Sequence, residues 1–250
     1  HTLLALSLVY TCLYMKGTIS QLSVFLPAYN EEANIQATVE NVIGNLPGEI
    51  KKWEIIIVDD GSKDNTGKIA DGLHQKDSHI RVIHHHPNQG YGGALKSGLY
   101  GSKYNWISFI DSDGQFDFAE INQFIAAQEK TGADAVIGYY LDRKVPFYRK
   151  LNSRIWQSIV YLLFGLNVRD IDCGFKLISK DIVDNIPQLE SNRGAFISSE
   201  FLIKARKKGY KIVEIGVHHY PRRQGEATGA KLNVIVQSFV DLFSLWRKLR

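Results

Sequence analysis

The sequence predicts an α/β protein built on a doubly wound, mostly parallel sheet, and three observations predict it. Short apolar runs of strand length alternate with segments whose apolar residues recur at helical spacing, and that alternation is the mark of successive βαβ units. Each run stops in a cluster of acidic, polar or glycine residues, which gathers the clusters on one sheet edge, where open α/β sheets bind their ligands. The 250 residues contain no linker rich in Pro, Ser or Gly, so one large domain with a full core is the simplest arrangement.

The first strand is Leu22 to Leu26. Pro27-Ala28-Tyr29-Asn30-Glu31-Glu32 follows it, with Asn30 placed to cap a helix whose first turn carries both glutamates. Val39, Val42, Ile43 and Leu46 then keep helical spacing. Trp53 to Val58 repeats the unit, ends in Asp59-Asp60-Gly61-Ser62, and leads through Asp64-Asn65-Thr66 into a helix to about Gln75. A third strand, Ile80 to His84, enters Asn88-Gln89-Gly90-Tyr91-Gly92-Gly93-Ala94-Leu95, a glycine-rich loop opening a helix. That loop does not match G-x-G-x-x-G, and no acidic residue stands ~20 positions on at a strand end in the right unit, which argues against a hydride-transfer enzyme.

The fourth run, Ile107 to Ile110, organises the rest, because it stops at Asp111-Ser112-Asp113-Gly114-Gln115. Two carboxylates one residue apart repel each other. A hard divalent cation such as Mg²⁺ relieves the repulsion and completes its shell with phosphate oxygens and water, so the pair reads as a metal-diphosphate site. An isolated Asp-x-Asp-Gly would be an ordinary polar turn, and it is the neighbouring strand-end clusters that give this one meaning. A helix from Phe118 to Lys130 and a strand from Ala133 to Ile137 close the alternating series.

Past Gly138 the pattern changes. Arg143, Lys144, Arg149, Lys150 and Arg154 are interleaved with apolar residues, and a stripe through Trp156, Ile159, Val160 and Leu163 predicts an amphipathic helix. Asp170-Ile171-Asp172-Cys173-Gly174-Phe175-Lys176-Leu177 comes next, then a helix opened by Ser198-Ser199-Glu200-Phe201 and a strand from Lys211 to Val217. The glycine-punctuated basic segment from Tyr220 to Lys231 is suited to closing over a diphosphate. Leu232 to Arg250 forms a last amphipathic helix with an aromatic-rich face and a basic end, a form that fits a membrane interface, the core or a second subunit. The expected organisation is therefore an N-terminal apolar segment over residues 1–20, a catalytic domain over 21–231 and a C-terminal helix over 232–250.

Composition narrows the partners. A net charge of +4, scattered along the chain, gives no footprint for nucleic acid, while its sign fits an anionic substrate or membrane surface. Cys12 and Cys173 are the only cysteines and sit in unrelated contexts, which points to a reducing compartment rather than a disulfide framework or zinc site. His84-His85-His86 ends a strand and is expected to lack nearby carboxylates, so it is not read as a metal tract. Leu3 to Met15 is nearly all apolar but short of the ~20 residues a bilayer span needs, and reads as a truncated membrane segment, an interfacial helix or added material.

Pro27-Ala28-Tyr29-Asn30-Glu31-Glu32, Val58-Asp59-Asp60-Gly61-Ser62, Asn88-x-Gly90-x-Gly92-x-Ala94 and Asp111-x-Asp113-Gly114-Gln115, in this order at strand ends, resemble the family 2 glycosyltransferases of the Rossmann-like GT-A fold. Arg149, Ser153-Arg154, Asp170-x-x-Cys173-Gly174-Phe175-Lys176 and the Arg222-to-Lys231 segment are similar to the branch holding dolichol-phosphate mannose synthase and polyprenyl-phosphate glucosyltransferases. The resemblance implies that Pro27, Tyr29, Glu31 and Gly90 line the nucleotide-sugar pocket and that Asp59 and Asp60 meet the base or ribose. It implies that Asp111, Asp113 and Gln115 hold Mg²⁺ or Mn²⁺, with Ser112 in the same turn against the sugar diphosphate. Arg149 and Arg154 would meet the acceptor phosphate, Asp170 would join the catalytic set, and Arg222 or Arg223 with Lys231 would cover the diphosphate. Thr228-Gly229-Ala230-Lys231 stands where the family often has Gly-Ser-Lys, keeping the lysine.

The implied activity is inverting transfer of a hexose from GDP-mannose or UDP-glucose to a polyprenyl or dolichyl phosphate, by a membrane-associated enzyme with its active site on the cytoplasmic face. A homodimer or a membrane-anchor partner is left open. Charge on the leaving diphosphate needs a metal, lysine and arginine, whereas an anionic phosphate nucleophile needs positioning more than a base. A family member acting on a hydroxyl would instead need a base, for which Asp170, Asp172 and Glu200 are the candidates. A nucleotide-sugar-binding protein without turnover is the alternative outside enzymes.

Overall fold

The computed structural model describes residues 18–142, 147–191, 196–222 and 232–249. Seven strands form one sheet: β1 (Gln21–Ala28), β2 (Lys52–Asp59), β3 (Ile80–His84), β4 (Trp106–Ile110), β5 (Ala135–Tyr140), β6 (Phe175–Ser179) and β7 (Ile212–Val217), in the order β3-β2-β1-β4-β6-β5-β7. The helices between them are α1 (Ile35–Gly44), α2 (Thr66–Lys76), α3 (Tyr91–Gly101), α4 (Ile121–Thr131), α5 (Phe147–Phe164), α6 (Lys180–Asn185), α7 (Phe196–Lys207) and α8 (Leu232–Leu249). Reading α1 to α4 as crossovers accounts for the parallel pairing of β1 with β2 and β4, and of β2 with β3.

Side-chain alternation divides the sheet into two cores. Phe25, Ile56, Val58, Phe109, Ile137 and Ile178 face one side with Leu95, Leu99 and Leu202, while Val24, Ile55, Ile57, Val136, Phe175 and Leu177 face the other with Val39, Ile121 and Phe124. On the first face α3 lies so close that a Cβ on Gly98 would come within 2.2 Å of the Phe25 ring. Only glycine fits there.

The sheet differs from the sequence expectation at β6, which had been given no element. Five residues with a lysine in second place carry little periodic signal, yet all five are buried. This strand runs antiparallel between β4 and β5, pairing Phe109 with Lys176 and Ile110 with Phe175. Its antiparallel direction brings its first residues, rather than its last, to the edge where β4 ends.

A second difference lies after β1. The helix begins at Ile35, so Asn30 does not cap it and Glu31 and Glu32 precede its first turn. Asn30 instead holds a left-handed conformation, φ +55°, with its N–H donating to Ser62 Oγ at 3.0 Å and its Oδ1 accepting from Lys63 N at 2.8 Å. Tying two loops together outweighs capping a helix.

The apolar stripe of α8 is divided. Leu242 and Leu245 are buried in the core, whereas Val240 and Phe243 are about half exposed, at 57% and 51%. Trp156 anchors α5 to α7 and α8, its Nε1 donating to Ser199 Oγ at 3.2 Å and its ring lying 5.2 Å from Phe239. Ile155, Tyr161 and Leu162 on α5 are left facing solvent. Among the described residues no helix is long and apolar enough to cross a membrane. Leu3 to Met15, read above as a membrane or interfacial segment, lies outside the described residues.

Candidate active site

The loops after β1, β2, β3 and β4 meet at one edge of the sheet, and hydrogen bonds between them set the floor of a cleft. Ser112 Oγ donates to the Pro27 carbonyl at 2.6 Å, Thr38 Oγ1 donates to the Ser112 carbonyl at 3.1 Å, and Glu31 N donates to Thr66 Oγ1 at 2.8 Å. Glu32 accepts from both Asn65 N and Asn65 Nδ2. Four separate stretches of sequence thus become one surface.

Asp111 and Asp113 stand at its centre. Asp111 N donates to the Gly174 carbonyl at 3.1 Å, and Tyr91 Oη donates to Asp111 Oδ1 at 3.1 Å. Its carboxylate rests directly on Gly174, where a Cβ would come within 2.0 Å of Oδ2. Burial first, and the neighbouring charge of Asp113 second, push the Asp111 carboxyl up to about 7. Burial also raises Asp113, against the Gln115 N–H at 3.1 Å and the charges of Arg222 and His219, which hold it down. Glu31, 7% exposed, is raised by burial although Asn34 Nδ2 donates to it at 2.7 Å. Burial therefore raises three acids at this edge, and the positive charge of the described residues does not offset it.

Arg222 supplies part of that charge. Its Nη2 lies 2.6 Å from Glu31 Oε1 and 3.4 Å from Asp113 Oδ2, bridging the β1 and β4 loops. The segment carrying it is stitched to the Asp111 turn: Gln115 Nε2 donates to the Tyr220 carbonyl at 2.9 Å, and Tyr220 N donates to the Gln115 carbonyl at 2.9 Å. His219 packs edge-on against Phe116 and Tyr140, at 5.5 and 4.5 Å between ring centroids.

Asp59 and Asp60 turn inward. Asp59 Oδ1 accepts from Ser62 N at 3.0 Å, and its Oδ2 lies 3.0 Å from His84 Nδ1. Asp60 Oδ1 lies 2.7 Å from His85 Nδ1 and accepts from Gln89 N at 2.8 Å, while Oδ2 accepts from Asn88 Nδ2 at 2.8 Å. At 4% and 3% exposure these carboxylates hold the loops around the site together. The histidines beside them do have carboxylate neighbours, contrary to the sequence reading, because the acids come from other elements: His84 Nε2 also lies 3.0 Å from Asp71 Oδ1. No group of three metal-ligating residues forms there or elsewhere among the described residues.

The remaining expected residues are distributed as follows. Pro27 is buried, Tyr29 partly so, and Gly90 precedes α3 with φ +81°, a conformation that favours glycine. Arg154 is exposed on α5; the Arg149 side chain, Arg223 and Lys231 lie outside the described residues. Asp170, 5% exposed, accepts from Asp172 N at 3.1 Å. Glu200 is spent: Glu190 N, Ser191 N, Ser191 Oγ and Lys204 Nζ all donate to it within 2.9 Å. Tyr91, Gly174 and His219 had not been singled out as site residues. Tyr91 and Gly174 lie inside motifs already noted, whereas nothing in the sequence around His219 marks it.

Residues 23–186 match the family model described as glycosyl transferase family 2. Among curated relatives, a dolichyl-phosphate beta-glucosyltransferase of Dictyostelium discoideum is 33% identical over 79% of this chain and 65% of its own length. Glycosyltransferase AglD of Haloferax volcanii is 30% identical over 81% of this chain and 33% of its own. The chain thus spans between a third and just under two thirds of these relatives. Among solved structures, glucosyl-3-phosphoglycerate synthase from Mycobacterium tuberculosis, in complex with Mn²⁺ and uridine-diphosphate-glucose, superposes with a TM-score of 0.66 at 20% identity, covering 90% of this chain and 77% of that one. The fold is that of the GT-A glycosyltransferases.

Proposed function

This chain belongs to glycosyl transferase family 2, and from that premise we propose that it moves a hexose, with inversion, from a nucleoside-diphosphate sugar to a polyprenyl or dolichyl phosphate. The observation that carries the proposal is the seating of Asp111 and Asp113 beside Glu31 and Arg222 at the sheet edge, where burial outweighs the positive charge of the described residues. The pair fits a divalent ion, since two raised carboxylates offer hard oxygen ligands and leave the rest of the shell to diphosphate and water. Asp111, Asp113 and the amide oxygen of Gln115 would hold Mg²⁺ or Mn²⁺. When bound, the ion would offset charge developing on the leaving diphosphate.

The protein's own groups do the rest. Arg222, attached to Glu31 and Asp113, is placed to move onto the diphosphate once those acids are otherwise neutralised. Ser112, Pro27, Glu31 and the Gly90 turn fix the pocket in which the nucleotide would lie. No strong base is needed for a phosphate acceptor, and the engagement of Glu200 with four donors favours that acceptor over a hydroxyl. Both the names of the curated relatives and the Mn²⁺ and uridine-diphosphate-glucose of the solved neighbour support the reading.

Exposed Ile155, Tyr161 and Leu162 on α5, and Val240 and Phe243 on α8 before Arg247 and Lys248, support docking on an anionic membrane surface. Purified protein should convert UDP-glucose or GDP-mannose, with Mn²⁺ and dolichyl phosphate, into a lipid-linked sugar that partitions into organic solvent. Sugar transferred to soluble hydroxyl acceptors, with none on the lipid, would contradict the assignment.

A further inference from the structure

Lys176 is a buried cation that no step above uses. It is 2% exposed, the second residue of β6, opposite Phe109 in the antiparallel pairing. Side chains two apart along a strand share a face, so Lys176 lies on the same side of the sheet as Gly174 on its own strand and as Phe109 and Asp111 across from it. Its Nζ sits 4.9 Å from the centre of the Phe109 ring and donates to the Cys173 carbonyl. Apart from Ser198 the surrounding wall is apolar: Phe25, Leu95, Leu99 and Ile178 line the same small cavity. A core position surrounded by hydrocarbon is an expensive place for a lysine. A leucine there would simply fill the gap.

Two observations connect this lysine to the Asp111 site. The carbonyl it holds belongs to the residue before Gly174, and Gly174 is the wall on which the Asp111 carboxylate rests, within 2.0 Å of where a Cβ would be. Its charge is also felt by Asp111, Asp170 and Asp172 together. Burial lowers the lysine's affinity for its proton, and those three acids oppose that effect.

We propose that Lys176 is a positioning residue of the diphosphate site: it fixes the Cys173–Gly174 turn against Asp111 and acts as the resident counter-charge that keeps divalent-ion binding weak until a donor arrives. The inference rests on the metal reading given above. It makes an unusual demand, since removing the lysine should tighten the ion and impair turnover at the same time. Structural damage would weaken both.

The test is calorimetric titration of the full chain with Mn²⁺ alone, alongside kcat and donor KM. Lys176→Met removes the charge at similar volume, Lys176→Gln keeps a donor for the Cys173 carbonyl without charge, and Lys176→Arg keeps both. Loss of one nearby positive charge should tighten Mn²⁺ about tenfold in the Met and Gln variants. In the Met variant kcat should fall about tenfold with donor KM nearly unchanged, as expected when a group that orients the reacting site is lost. Lys176→Arg should restore kcat. Unchanged or weaker Mn²⁺ binding in both neutral variants, their failure to fold, or wild-type kcat in Lys176→Met would overturn the proposal. Wild type against Asp113→Asn reports on the metal reading itself: if both bind Mn²⁺ equally or neither binds, that reading falls and this inference with it, whereas a normal Asp113→Asn loss with no Lys176 effect sinks the lysine alone.

Discussion

Two acids at opposite ends of the sheet show how the fold distributes its electrostatics. Glu54, on β2 and fully buried, accepts from Ser23 Oγ at 2.7 Å, Arg81 Nη1 at 2.8 Å and Lys103 N at 2.9 Å, and those partners hold its carboxyl below the usual range despite burial. Asp111, at the end of β4, has one tyrosine hydroxyl and the charge of Lys176 in its favour, but desolvation and a repelling neighbour outweigh them and its carboxyl is pushed up to about 7. The same sheet satisfies one carboxylate and leaves the other in need of a cation. Buried acids with full partners stabilise a fold, while underserved ones mark where a ligand completes the structure.

The comparison breaks first on activity. Asp113→Asn should lower turnover by about a hundredfold to a thousandfold, in keeping with the loss of one group that stabilises transition-state charge, while circular dichroism stays that of the wild type. Wild-type turnover would detach the acidic rim from the chemistry. At the other end the effect should be on stability alone. Glu54→Leu strands the Ser23 hydroxyl, the Lys103 N–H and the Arg81 charge, and should cost about 2–3 kcal/mol in denaturant unfolding, discounted because Arg81 is partly solvated. Activity per folded molecule should not change.

The smallest effect has the opposite sign. Asp111 binds its proton near pH 7 when folded against an ordinary value of 3.8, so between those values the folded state holds the extra proton. Stability from this group is therefore lost as pH rises from about 4 toward 7 and stays lost above. Asp111→Asn removes that slope, so without metal the variant should melt above wild type at pH 8, by about 2–4 °C for each kcal/mol recovered, and near it at pH 4. A lower melting temperature at pH 8 would show that the Asp111 charge is already compensated.

Much of this was legible in the sequence, for reasons the structure makes plain. The parallel strands announce themselves as long apolar runs, because both faces of β1, β2 and β4 are buried, and their polar ends fall on one edge through right-handed crossovers. The strand β6 does not, since Lys176 interrupts a five-residue run and its direction is reversed. The roles of Asp59 and Asp60 were equally hidden: their partners, His84, His85, Asn88 and Gln89, come from the next strand and loop, and only folding shows that the pair is occupied. Glu200 looks like a free helix-borne acid until the 186–191 segment closes over it. Position on the sheet could be read from pattern, but occupation by partners could not.

The direct measurement is a thermal-shift panel in which wild type and Asp113→Asn are each heated with UDP-glucose, GDP-mannose or UDP-N-acetylglucosamine, with and without Mn²⁺. A ligand that binds only the native state raises the melting temperature in proportion to its occupancy. The account predicts a rise for wild type with one donor and Mn²⁺ together, little with either alone, and none in Asp113→Asn. An equal rise in the variant, or a full rise without metal, would contradict it.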